Sequence, residues 1–172
     1  RFRREKAWSA AITDGAITKY GLELRSAALA SNICLGVLQN LAYCDHYIDL
    51  FSSSPAKIEP KVRDILRCAV YQLLFMDKIP ANAAVNEAVM LCKKLGYSRA
   101  AGFCNAVLRK IAAAADALPE IPEDGTATHL SVKYSHPLWL AEYMINAHGY
   151  AFTEAFFAAD NDFEFLSKRK IL

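Results

Sequence analysis

Residues 63–96 read RDILRCAVYQLLFMDKIPANAAVNEAVMLCKKLG, and the way this stretch is punctuated decides the fold. With Val62 just ahead of it, Ile65, Leu66, Ala69, Val70, Leu73 and Leu74 return at three- and four-residue steps. That period places them on one broad stripe of an α-helix, the side that must be buried. Pro60 suits the first turn of this helix, where a missing N–H removes no intrahelical bond. Asp77-Lys78-Ile79-Pro80 ends it, and Pro80 opens a second helix on which Val85, Ala88, Cys92 and Leu95 share a face. Gly96 stands where a left-handed residue closes a helix.

Reading outward, the pattern stays helical. Ser98 is expected to cap the next helix, whose wheel divides into two arcs. Phe103, Cys104, Val107, Leu108 and Ile111 fill the apolar arc, and Ser98, Arg99, Asn105, Arg109 and Lys110 fill the polar one. Upstream, Ser9 is expected to cap a helix that Gly21 stops, and residues 25–51 predict a longer helical stretch broken near Asn40. Residues 118–127 hold two prolines, a glycine and three acids, the composition of a linker. Short helices are expected after it over about 128–133, 137–149 and 153–159. Tyr71, Phe75 and Phe103 are expected in the core, and Trp139 as an anchor of the post-linker helices. No period-2 stretch appears. The prediction is an all-α protein: an antiparallel helical bundle over 1–116, a linker over 117–127, and a helical segment over 128–172.

A hydrophobic fraction of 54% with 22% charged residues is a globular composition. No apolar run approaches the ~20 residues needed to cross a bilayer, and no secretory signal is visible, so no membrane partner is expected. Cys34, Cys44, Cys68, Cys92 and Cys104 are scattered and odd in number, which suits small core hydrophobes in a reducing cytoplasm.

The net charge of +2 says less than its distribution. Arg1, Arg3, Arg4 and Lys6 against Glu5 give a local net of +3. Lys93, Lys94, Arg99, Arg109 and Lys110 give +5 with no acid between them, and the segment from Asp116 to Asp124 is purely acidic. Segregation of this kind suits a polyanion-binding face, and these nine cations are its candidates. Catalytic chemistry is not legible. The seven glycines are isolated, so no loop can approach a nucleotide cofactor closely. The four histidines are far apart without metal-ligand spacing and are expected as surface or capping residues; no metal is expected.

Three blocks carry a resemblance: Gly36-Val37-Leu38-Gln39-Asn40, the stretch from Arg63 to Gly96, and AAGFCNAVLRKI ending at Ile111. Together they resemble the domain of the transcription antitermination factor NusB, a helical bundle that binds RNA. YSHPLWLAEYM from Tyr134 resembles the segment that joins such a domain to the catalytic half of the ribosomal small-subunit RNA cytosine-C5 methyltransferases (the RsmB, Sun or Fmu family). The resemblance implies an RNA-binding accessory domain with two partners, ribosomal RNA and its own methyltransferase domain; a second copy of the chain is a further candidate partner. It implies RNA contact by Arg1, Arg3, Arg4, Lys6, Lys93, Lys94, Arg99, Arg109 and Lys110. The alternative it leaves open is a free-standing antitermination factor working with a small ribosomal protein. Free factors usually read N-G-V-L-D where this chain has Asn105-Ala106-Val107-Leu108-Arg109, and they stop soon afterwards. In the parent enzyme, S-adenosylmethionine would supply the methyl group. The Pro-Cys and Thr-Cys motifs that carry that family's catalytic cysteines do not occur here, so this chain is expected to be no enzyme by itself and to hold no cofactor. Calorimetric titration of the chain with S-adenosylmethionine is expected to show no saturable heat; micromolar binding would overturn that expectation.

Overall fold

The computed structural model describes residues 9–161, which form nine α-helices and no strand. We label them α1 (Ser9–Tyr20), α2 (Leu24–Gln39), α3 (Leu41–Phe51), α4 (Pro60–Phe75), α5 (Ala81–Lys94), α6 (Ala101–Ala114), α7 (Ala127–Lys133), α8 (Leu138–His148) and α9 (Tyr150–Asn161). Single turns of 3-10 helix lie at Pro55–Lys57, Ser98–Ala100 and Ala115–Ala117.

The helix α4 is the hub, touching α2, α3, α5 and α6. Pro60 holds its first turn, and Val62, Ile65, Leu66, Ala69 and Val70 are buried along one stripe. Its partners bring Cys44, Tyr47 and Ile48 from α3, Val85, Ala88 and Cys92 from α5, and Cys104, Val107, Leu108 and Ile111 from α6. A fully buried aliphatic side chain contributes roughly 1.5–3 kcal/mol, so this one cluster supplies most of the favourable term in folding.

The ends of the helices follow from local chemistry. Gly96, at φ +86°, closes α5: its N–H donates to the Lys93 carbonyl at 3.2 Å and the Tyr97 N–H donates to the Cys92 carbonyl at 2.8 Å. That pair of bonds is a Schellman motif, which satisfies carbonyls the helix leaves over. Leu95 is the cap residue here and is 54% exposed, so it does not share the buried face expected of it. Ser98 does not cap α6 either, since a 3-10 turn intervenes and no side-chain cap bond forms. Ser9 already lies within α1 instead of preceding it.

The expected break near Asn40 is a sharp corner. The axes of α2 and α3 differ by 79°, and Asn40 ends one helix and starts the other. Its backbone N–H and its Nδ2 both donate to the Gly36 carbonyl, at 3.0 and 2.9 Å. Gly36 itself is required by its neighbour: an added Cβ would stand 2.0 Å from Cζ of Tyr71. Among the described residues no single helix is long and apolar enough to cross a membrane, and only the bent α2–α3 pair reaches that composition jointly.

The helices α7 to α9 build a second, smaller core on Leu130, Ala141 and Phe157. Thr126 caps α7 by accepting from the His129 N–H at 3.3 Å. Gly149, at φ +84°, separates α8 from α9. Segment 118–126 is not helical, yet it is tied down: the Tyr47 hydroxyl donates to the Pro119 carbonyl at 3.0 Å, and Leu118 packs on the main core. Ser135 stands just ahead of α8 but does not cap it; its hydroxyl accepts from the Tyr43 N–H at 2.9 Å and so ties the extension to α3. Trp139 is no anchor; it is 67% exposed, and Phe157 fills that role. His129 is buried with Nδ1 donating to the Pro122 carbonyl at 2.8 Å, and the His136 ring lies 4.0 Å from that of Phe157, so neither is a plain surface residue.

Replacing Gly36 with Ala is expected to destabilise the protein by about 1–3 kcal/mol, because Tyr71 must move. Gly102→Ala in α6, where nothing stands within 4 Å of the added carbon, is expected to stabilise by roughly 0.5–1 kcal/mol. Urea unfolding of the two variants checks the opposite signs.

Candidate nucleic-acid interface

Cations on this molecule fall into two kinds. Arg63 and Arg67 of α4 are engaged. Arg67 is 7% exposed; its Nε donates to Asp45 Oδ1 at 2.7 Å and its Nη1 to Asp64 Oδ1 at 2.8 Å, while Nη2 bonds the second Asp45 oxygen. Arg63 reaches Asp45 at 3.3 Å, Asp49 at 2.7 Å and the Pro55 carbonyl at 2.9 Å. Burial works against the charge of each guanidinium, but the bonds to Asp45, Asp49 and Asp64 outweigh it and hold both above their ordinary value. These two arginines hold α3 against α4 and are not available to a ligand.

The predicted cations in the described region are of the other kind. Lys93, Lys94, Arg99, Arg109 and Lys110 are all exposed, and none forms an ion pair with a described carboxylate. Lys93 and Lys94 end α5, where a positive charge also complements the helix dipole. Arg99 follows in the 3-10 turn and lines a cleft of about 350 Å³ with Ser53, Ser54, Lys57 and Phe103. Arg109 and Lys110 lie further along α6, and Arg109 is oriented by donating from Nε to Asn105 Oδ1 at 3.1 Å. At ~1.5 Å of rise per residue, roughly 12 Å of α6 separates its start beside Arg99 from Arg109. The structure therefore does not gather the five into one patch. Three cluster around the α5–α6 turn, and two lie further down α6.

Arg1, Arg3, Arg4 and Lys6 lie outside the described residues. Lys57 was missed in the sequence because it sits in an irregular turn that no helical period can place; the loop brings it to the same cleft as Arg99. A Glu59 carboxylate also lines that cleft and tempers its charge.

Among the described residues, the buried cysteines are not poised as nucleophiles. Burial pushes the Cys44 thiol up to about 12, helped by Asp45, and the Cys104 thiol to about 12, helped by Cys92. Cys68 is pushed to about 11 by burial and by Cys34. A thiolate is the attacking species in cysteine chemistry, and these groups stay protonated at neutral pH. For S-adenosylmethionine the described residues offer no clustered glycines of the kind that let backbone approach a nucleotide cofactor closely. Among the described residues no group of three or more His, Cys, Asp or Glu could hold a metal ion.

Comparison with known proteins places this geometry. Residues 3–113 match the NusB family model. The chain belongs to the NusB family. It is also 30% identical over 154 residues to a probable ribosomal RNA small subunit methyltransferase B of Bacillus subtilis, an alignment covering 90% of this chain and 34% of the relative. A Synechocystis protein of the same description is 31% identical over 160 residues, covering 92% of this chain and 35% of the relative. The transcription antitermination protein NusB of Bacillus velezensis is 36% identical over 89 residues, covering 51% of this chain and 68% of that protein. The chain thus spans about a third of the length of the methyltransferase relatives. No solved structure matches it.

Asp45→Ala leaves the buried Arg67 charge without its main partner. It is expected to cost about 3 kcal/mol in urea unfolding, whereas Arg99→Ala is expected to cost less than ~0.5 kcal/mol.

Proposed function

We propose that this chain is the RNA-binding front of a small-subunit ribosomal RNA cytosine-C5 methyltransferase, orienting the RNA for a catalytic domain that lies outside these residues. One observation carries the reading: the alignments to the methyltransferases take in 90% and 92% of the chain, well past α6, whereas the alignment to the Bacillus velezensis antitermination protein takes in 51%. The extension α7–α9 is packed against the bundle through Tyr43 and Ser135, as a joining segment to a following domain would be. The NusB family binds RNA, which makes ribosomal RNA the partner to test first.

In this reading Lys93, Lys94 and Arg99 hold phosphates at the α5–α6 turn, and Arg109 and Lys110 hold them further along α6. The engaged pair Arg63 and Arg67 keeps the helices in register and touches no RNA. Methyl transfer, with S-adenosylmethionine as donor, belongs to the catalytic domain, and no step of it is assigned to residues here. A free-standing antitermination factor remains the second reading, favoured by the Bacillus velezensis relative, of which the chain covers 68%. That reading leaves the second core on Leu130, Ala141 and Phe157 without a role.

Each phosphate neutralised on a single strand contributes about −0.7 to the slope of log K against log salt. Changing Arg99, Arg109 and Lys110 together to Ala is therefore expected to flatten the slope for a single-stranded ribosomal RNA segment by roughly 2, with helicity unchanged. An unchanged slope in a folded triple variant would clear these three residues of phosphate contact.

A further inference from the structure

A second cleft, of about 510 Å³, opens where α2, α4 and the end of α9 meet, on residues that no basic-patch argument uses. Its floor is aromatic. The rings of Tyr71 and Phe75 are stacked, with centroids 5.2 Å apart and planes 21° apart, and Phe75 remains 42% exposed at the end of the stack. Tyr43 supports Phe75 edge-on at 5.7 Å. Its rim is a set of amides, Asn32, Gln39, Asn40 and Asn161, and none of its lining side chains is charged.

Three of those amides are already oriented. Asn32 accepts from the Tyr71 hydroxyl through Oδ1 at 3.1 Å, which leaves its NH2 free to donate. Asn40 donates from Nδ2 to the Gly36 carbonyl at 2.9 Å, and Asn161 donates from Nδ2 to the Tyr134 carbonyl at 2.7 Å, so each keeps its oxygen as an acceptor. Gln39 makes no bond of its own with a described group and can serve either role. The cleft therefore offers an aromatic face with fixed donors and acceptors around it and no charge.

We propose that this cleft binds one unpaired nucleobase of single-stranded RNA. A base supplies what the site lacks: a flat uncharged ring to continue the stack, and an edge carrying both donors and acceptors to meet the amides. The absence of a cation argues against phosphate as the ligand here, which separates this site from the α5–α6 cations. The cleft volume falls within the ~300–1,000 Å³ usual for small-ligand sites. The proposal rests on the reading of the chain as RNA-binding, and it adds a place where a base rather than a phosphate is held.

The test is an NMR titration of the chain with free adenosine, cytidine and uridine, and with ribose 5-phosphate as control. Saturable shifts of the Tyr71 and Phe75 ring signals and the Gln39 side-chain amide are expected with at least one nucleoside and not with the control. Alongside it, the affinity for a 12-nucleotide single-stranded RNA is measured for the unaltered chain, Phe75→Ala and Gln39→Ala. Loss of the stacking face is expected to weaken binding at least about five-fold with the salt slope unchanged. Gln39 makes no bond to another described group, so its variant keeps the comparison interpretable if Phe75→Ala loses helicity. No shift with any nucleoside would overturn the proposal, as would ring signals that respond only when the chain is extended beyond residue 172. Nucleoside binding without affinity for the 12-nucleotide RNA would sink the RNA reading and leave the base site standing. RNA affinity that ignores both variants, with silent ring signals, would do the reverse.

Discussion

A buried guanidinium sets the terms for the rest of this fold. Arg67 lies inside the contact between α3 and α4, and a charge there is tolerable only because Asp45 and Asp64 surround it. Those bonds fix which face of α3 meets α4 and leave little freedom to slide, since apolar side chains alone would accept several registers. Once α3 is placed, Asn40 and Gly36 place α2 at its steep angle, and Tyr71 closes over the glycine. The second core then finds its seat on α3 through Ser135. Each step depends on the one before it, and the first is electrostatic.

Much of the bundle was legible because its helices carry clean periods. The stripe from Val62 to Val70 is buried as the spacing requires, as are Cys104, Val107, Leu108 and Ile111 of the next arc, while Phe103 at its start is half-buried beside the Arg99 cleft. The corner at Asn40 and the stop at Gly96 were also readable, because an amide or a glycine at a helix end has a local mechanism. What failed was the fine structure of helix starts. Ser9, Ser98 and Ser135 all have the chemistry of a cap, but propensity cannot say whether a serine hydroxyl has a better offer. For Ser135 it does, from an N–H 92 positions away in sequence. Trp139 misled for a related reason: size suggests burial, but the short helices α8 and α9 have one inner face, and Phe157 occupies it.

The candidate interface was legible only in part. Runs of basic residues stand out in a sequence, so the exposed cations of α5 and α6 were easy to single out, yet their grouping depends on where the turn falls. Arg63 and Arg67 would have looked equally attractive on charge alone; only the carboxylates of Asp45 and Asp49, brought from another helix, show that they are engaged. Lys57 came from an irregular turn with no period to betray it. The amide and aromatic cleft is assembled from α2, α4 and α9, and residues so far apart in sequence give no shared signal.

The pair Cys92 and Cys104 has a practical consequence. Their sulfurs lie 3.3 Å apart in the seam between α5 and α6, both fully buried. A thiol reagent can reach them only when that seam parts, so the rate of their modification measures the opening of the α5–α6 pair itself. The hairpin that carries five of the candidate phosphate contacts thus holds its own clock for local unfolding, one that could be read without adding any label to the RNA-facing surface.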